Sequence, residues 1–81
     1  MVPGIQTVDL HGKTVRQAKI TVDALLRRAG PGTYRLRLLH GCHGGTALRD
    51  FLRAEYGRHP KVRRLVLSPD GGATDLVLRE F

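Results

Sequence analysis

The sequence predicts an α/β domain with the element order β-α-β-α-β-β. Three observations carry that prediction. Short apolar runs of period two alternate with longer stretches at helical spacing. Glycine or proline punctuates each run. The length, 81 residues, suffices for one small core, so residues 1–81 are read as a single domain with its core in about 5–79.

The first element is Ile5-Gln6-Thr7-Val8-Asp9-Leu10-His11. Val8 and Leu10 point one way and Asp9 and His11 the other, which is a strand pattern. Gly12 breaks it. Thr14 stands three before Gln17, the spacing of a capping box that opens a helix. Val15, Ala18, Val22, Leu25, Leu26 and Ala29 then share one helical face, and Gly30-Pro31-Gly32 ends it.

Residues 34–40 form the second strand, with Tyr34, Leu36 and Leu38 inward and Arg35 and Arg37 outward. It stops at Gly41. After Gly44-Gly45, Thr46 is placed to cap a second helix whose buried stripe is Leu48, Phe51, Leu52 and Tyr56. Gly57 to Pro60 closes that helix. Residues 62–67 read as a third strand, 68–72 as a turn, and 74–79 as a fourth strand.

A strand–helix–strand unit within one sheet is almost always a parallel crossover. The carboxyl ends of the first two strands then share one edge, where open α/β sheets place ligands. His11-Gly12 stands at one of these ends and His40-Gly41 at the other.

Composition narrows the function. Apolar residues at 41% and charged residues at 26% are those of an ordinary folded protein. Two Phe, two Tyr and no Trp leave the core to aliphatic side chains. Fourteen Lys and Arg against seven Asp and Glu give a net charge of +7, which suggests a polyanion partner such as nucleic acid or an anionic membrane surface. A basic surface kept for solubility is the alternative.

No apolar run is long enough to span a membrane, and the start lacks the pattern of a signal peptide. Cys42 is the single cysteine, so no internal disulfide forms and no Cys-x-x-Cys pattern exists. A cytoplasmic protein without membrane attachment is expected. No exposed apolar stripe demands a dimer, so the expectation is a monomer.

Asp9 and His11 project from the same face of the first strand. A carboxylate near an imidazole can orient it for general acid–base work. Equally, Asp9 can accept backbone N–H bonds from the glycine turn while His11 packs over the first helix. The second cluster is denser: His40-Gly41-Cys42-His43-Gly44-Gly45-Thr46 directly precedes a helix. Glycines let backbone N–H groups face outward, and a helix N-terminus adds partial positive charge, so the run suits a phosphate. Thr14 and Thr46 would cap helices opening on this same edge, giving two adjacent anion sites. A tight turn needing only left-handed glycine also accounts for the run.

Asp9, His11, His40, Cys42 and His43 could supply metal ligands, but their spacing matches no familiar zinc motif, and no metal ligand is assigned. Cys42 as a nucleophile is less favoured still. Basic residues gather on the first helix (Arg16, Lys19, Arg27, Arg28), on the second strand (Arg35, Arg37) and around the third (Arg58, Lys61, Arg63, Arg64). Contact of these with phosphates would give salt-sensitive binding. No aromatic residues are interleaved with them, so stacking of bases on aromatic rings is not indicated.

These motifs resemble the Smr domain, the small MutS-related family. Asp9-Leu10-His11-Gly12, Leu39-His40-Gly41 with a glycine-rich turn into Ala47-Leu48-Arg49, His59-Pro60-x-Val62, and Gly71-Gly72-Ala73-Thr74 stand in the family's order across residues 5 to 79. The resemblance implies a two-layer α/β sandwich like the C-terminal domain of the third bacterial initiation factor. In it a four-stranded mixed sheet carries two helices on one face. It also implies nucleic-acid binding and, in several members, endonuclease or nicking activity on DNA or RNA. Stalled ribosomes or DNA repair and recombination are the settings it brings with it.

Carried over by motif, Asp9, His11 and His40 are the candidate catalytic residues, with His11 as general acid or base and Asp9 orienting it. Gly12, Thr14, Gly41, His43, Gly44, Gly45, Thr46 and Arg49 are the candidate phosphate contacts at the edge, joined by Arg35 and Arg37. The loop departs from the family pattern: it is one residue longer before Leu48-Arg49, and His43 replaces the middle glycine. Its geometry is therefore expected to differ. An endonuclease of this kind is expected to work without a metal or with weak dependence on one, magnesium or manganese being the candidates. The alternative function is a basic RNA-, DNA- or ribosome-binding module that cuts nothing.

Overall fold

The computed structural model describes residues 4–41 and 46–80. Its elements are β1 (Ile5–Asp9), α1 (Val15–Arg28), β2 (Arg35–Leu39), α2 (Ala47–Tyr56), β3 (Arg64–Leu67) and β4 (Ala73–Val77). The order is the one that the patterning predicts. β1 pairs with β2 in parallel, and β4 lies antiparallel between β2 and β3, giving the sheet order β1-β2-β4-β3. The sheet is therefore mixed. Among the described residues no helix is long and apolar enough to cross a membrane.

Both helices share one core with the sheet. Ala18, Val22 and Leu26 recur every fourth residue on α1, and Leu52 and Tyr56 do so on α2. They meet Leu36 and Leu38 of β2 and Leu76 of β4, with Leu10 and Val62 closing the ends. Side chains alternate across a strand, so Arg35, Arg37 and Asp75 face away from the helices. α1 opens with the expected capping box: the Gln17 N–H donates to the Thr14 hydroxyl oxygen at 3.1 Å, and the Thr14 N–H donates to Gln17 Oε1 at 2.9 Å.

The helices are also tied by polar contacts. Tyr56, fully buried on α2, donates its hydroxyl to Asp23 Oδ1 of α1 at 2.7 Å. Lys19 bridges Asp23 at 2.9 Å and Glu55 at 3.1 Å. Burial alone would raise the Asp23 carboxyl, but the bonds from Lys19 and Tyr56 outweigh it and hold it below its ordinary value.

Four expectations need correction. Tyr34, read as a core residue, is 37% exposed, because β2 begins one residue later and the Tyr34 ring lies over Gly4, where a Cβ would meet it at 2.5 Å. Val15 is 37% exposed at the first position of α1, one turn before the first buried residue, Ala18. The third strand begins at Arg64 and not at Val62, because a turn in which the Val62 N–H donates to the His59 carbonyl carries Val62 into the core. The fourth strand ends at Val77, because the Leu78 and Arg79 N–H groups both turn to the Tyr34 carbonyl.

Candidate functional site

The parallel pairing Asp9↔Leu39 continues one step, with the Leu10 N–H donating to the Leu39 carbonyl at 2.7 Å. His11 therefore comes to lie beside Gly41, as the shared-edge argument requires. A Cβ built on Gly41 would stand 3.5 Å from the His11 ring carbon Cδ2. Both strands leave the sheet through a left-handed glycine, Gly12 at φ +79° and Gly41 at φ +78°, a conformation costly for any residue with a Cβ. His11 is exposed at this edge.

Asp9 acts on the main chain. Its Oδ1 accepts the His11 backbone N–H at 2.8 Å, and no described bond joins it to the imidazole. The carboxylate thus fixes the turn that presents His11.

His40 is buried, at 8% exposure, with both ring nitrogens engaged. Nδ1 lies 3.0 Å from the Gly41 carbonyl, and Nε2 lies 2.9 Å from the Thr74 hydroxyl. A carbonyl only accepts, so Nδ1 carries a proton; in the neutral ring Nε2 then accepts from Thr74. In this arrangement His40 has no nitrogen to offer a phosphate. It positions the Gly41 turn instead.

The β3–β4 turn completes that support. The Gly72 carbonyl accepts from the His40 N–H at 3.0 Å and from the Gly41 N–H at 2.9 Å. Gly72 is held in turn by Asp70, whose Oδ1 accepts the Gly72 N–H at 2.8 Å and the Ser68 hydroxyl at 2.6 Å. Those bonds, the Ser68 one foremost, lower the Asp70 carboxyl below its ordinary value. Gly72 and Thr74 are positioning residues that local patterning does not mark. The only sequence signal for them is the Gly71-Gly72-Ala73-Thr74 motif.

The two helix N-termini differ. α1 has no acidic residue in its first turn, and the N–H groups of Val15 and Arg16 precede the first possible intrahelical acceptor. Lys13 and Arg16, both exposed, are their neighbours in the chain, as are His11 and Gly12. At α2, Thr46 makes no side-chain cap, because its hydroxyl donates to Asp50 Oδ2 at 2.8 Å. Asp50 sits in the first turn and already balances that helix's positive end. The edge therefore carries one uncompensated helix N-terminus, not two.

Arg35 and Arg37 lie elsewhere. On the sheet face opposite the helices, Arg35 Nη1 meets Asp75 at 2.9 Å and Arg37 Nε meets it at 3.1 Å, and between them they cover its carboxylate. Among the described residues Arg49, on the first turn of α2, pairs only with its neighbour Asp50, at 3.4 Å. Lys61 donates to the Leu26 carbonyl at the end of α1 at 2.8 Å, and Arg64 pairs with Glu80. His43, Gly44, Gly45 and Cys42 lie outside the described residues. Among the described residues no three His, Cys, Asp or Glu side chains gather where they could hold a metal ion.

Known proteins share this fold. The sequence profile described as the Smr domain matches residues 8–75. The chain is 39% identical over 80 residues to the endonuclease MutS2 of Thermus thermophilus, covering 93% of this chain and 11% of that protein. The chain thus spans a small part of that relative's length. The crystal structure of the Smr domain of Thermus thermophilus MutS2 superposes with a TM-score of 0.80 at 39% identity, covering 93% of this chain and 99% of that one.

Proposed function

The chain belongs to the Smr domain family, and from that premise we propose that it binds nucleic acid and cleaves a phosphodiester bond at the edge where β1 and β2 end. The observation that carries this reading is the exposed imidazole of His11 beside the left-handed turn at Gly41, next to an uncompensated helix N-terminus. A phosphate at that edge meets the Val15 and Arg16 N–H groups and the charges of Lys13 and Arg16. His11 takes the proton of the attacking oxygen, or gives one to the departing oxygen, as the new phosphorus–oxygen bond forms and the old one breaks. Asp9 holds the main chain that carries His11, and His40, Thr74 and Gly72 hold the facing turn. A relative 39% identical to the chain is an endonuclease by name, which supports the same reading.

A second reading has its own observation. Asp9 does not bond the His11 imidazole, and both His40 nitrogens are engaged, so among the described residues no second group is aligned on His11. That favours a basic module that docks on RNA, DNA or the ribosome without cutting. Turnover separates the two. Purified protein is incubated with labelled single- and double-stranded DNA and RNA and with ribosomes, in magnesium, manganese or EDTA. The proposal expects product that accumulates with time and disappears in His11→Ala. Salt-sensitive binding with no product in any arm establishes the docking module instead.

A further inference from the structure

We propose that the cleft between α2 and the edge strand β3 receives an unpaired nucleotide of the bound nucleic acid, so that the substrate is single-stranded beside the site. This rests on the nucleic-acid reading above and names the class of substrate for it.

The cleft holds about 420 Å³ and is lined by Arg49, Arg53, Leu65, Leu67 and Thr74. That volume lies in the range of sites that bury a small ligand. Arg49 and Arg53 stand four apart and so share one face of α2. Arg53 makes no ion pair among the described residues, and Arg49 has only its exposed neighbour Asp50, a weak contact. Among the described residues no carboxylate lines the cleft.

Opposite the arginines lie Leu65, half-buried, and Leu67, 50% exposed on a strand that pairs only with β4. Two guanidinium groups and two leucines lining one cleft match the chemistry of a nucleotide, whose base has flat apolar faces and whose phosphate is anionic. Among the described residues no aromatic ring lines the cleft, and arginine planes serve in its place. A base stacked and paired in a duplex cannot enter such a cleft. A peptide strand added to β3 would use the leucines and leave both cations unanswered.

The cleft also adjoins the site. Thr74 lines it and holds His40 at 2.9 Å, and His40 bonds the Gly41 carbonyl beside His11. Past Arg53 and Leu65 a neighbouring hollow continues to Arg58, in position for a further phosphate.

Leu67→Ser and Arg53→Gln test the proposal, since both side chains are exposed and neither lies at the β1–β2 edge. Affinity is read by fluorescence anisotropy with a labelled thymidine oligonucleotide, a uridine oligonucleotide and a blunt DNA duplex, and thermal melting checks the fold. Leu67→Ser is expected to weaken single-strand binding at least about fivefold while duplex binding stays within twofold. Arg53→Gln is expected to weaken it too and to lower the salt slope by about 0.7. Unchanged single-strand affinity in both variants, or equal losses on strand and duplex, overturns the cleft proposal and leaves the nucleic-acid reading standing. Wild-type protein that binds none of the three probes overturns both. Self-association lost in Leu67→Ser, with oligonucleotide affinity unchanged, gives the cleft to a second copy of the chain and overturns the proposal.

Discussion

The Nε2 of His40 lies 2.9 Å from the hydroxyl of Thr74, and this bond ties the end of β2 to the start of β4 beneath the candidate site. The two residues are 34 apart in sequence and both are buried. Of the two histidines carried over by motif, His40 is thus the one the fold uses as a strut. The exposed His11 is left for chemistry.

Thr74→Val keeps the shape of the side chain and removes the hydroxyl. His40 Nε2 is then left without a partner in a buried place, at a cost of about 1–3 kcal/mol. Urea unfolding should show that loss, and Thr74→Ser should recover most of it. If cleavage is found, Thr74→Val should lower it as well, because the Gly41 turn loses its brace. A variant as stable as the wild type would show that the bond does not hold the turn.

The contact between Tyr56 and Asp23 predicts how stability follows pH. The Asp23 carboxyl is held below its ordinary value, so its contribution is present above the unfolded carboxylate range and is lost as pH falls through the lower folded value. Tyr56 is displaced the other way: burial first, then the bond to Asp23, raises its hydroxyl far above the ordinary value. That contribution is present below the unfolded tyrosine value and is lost as pH rises beyond it. Tyr56→Phe should therefore destabilise the protein near neutrality, and its deficit should shrink in acid. Melting curves at pH 7 and pH 3 compare the two proteins. A deficit independent of pH would assign the loss to packing alone.

Much of this was legible because local patterns report which side of its own element a residue occupies. The Thr14–Gln17 cap, the alternation in β1 and β2 and the Leu52–Tyr56 stripe are all of that kind, and the glycines mark where the strands must turn. Partners distant in sequence were not legible. Arg35 and Arg37 read as a free basic face, yet Asp75, 38 residues beyond Arg37, takes both. Asp50 diverts the Thr46 hydroxyl from capping. Asp9 and His11 lie close enough to read as an acid–base pair, but the glycine turn brings the backbone N–H to the carboxylate first.

Core and site should separate in stability measurements. Leu52 is fully buried between helix and sheet, and Leu52→Ala should cost roughly 2–5 kcal/mol through the cavity it leaves. His11 is exposed, so His11→Ala should stay within about 0.5 kcal/mol of the wild type. Denaturant midpoints at constant slope measure both. A His11→Ala loss that matches Leu52→Ala would move the histidine from function to structure.

The central claim is that His11, presented beside Gly41, does the proton transfer in phosphodiester cleavage. Single-turnover cleavage of a labelled oligonucleotide by wild type and His11→Ala, at saturating protein and with affinity measured in parallel, tests it most directly. The account predicts a rate lowered about 10²–10⁴-fold in the variant, with binding within a few-fold. An unchanged rate, or a loss that only follows weakened binding, would contradict it.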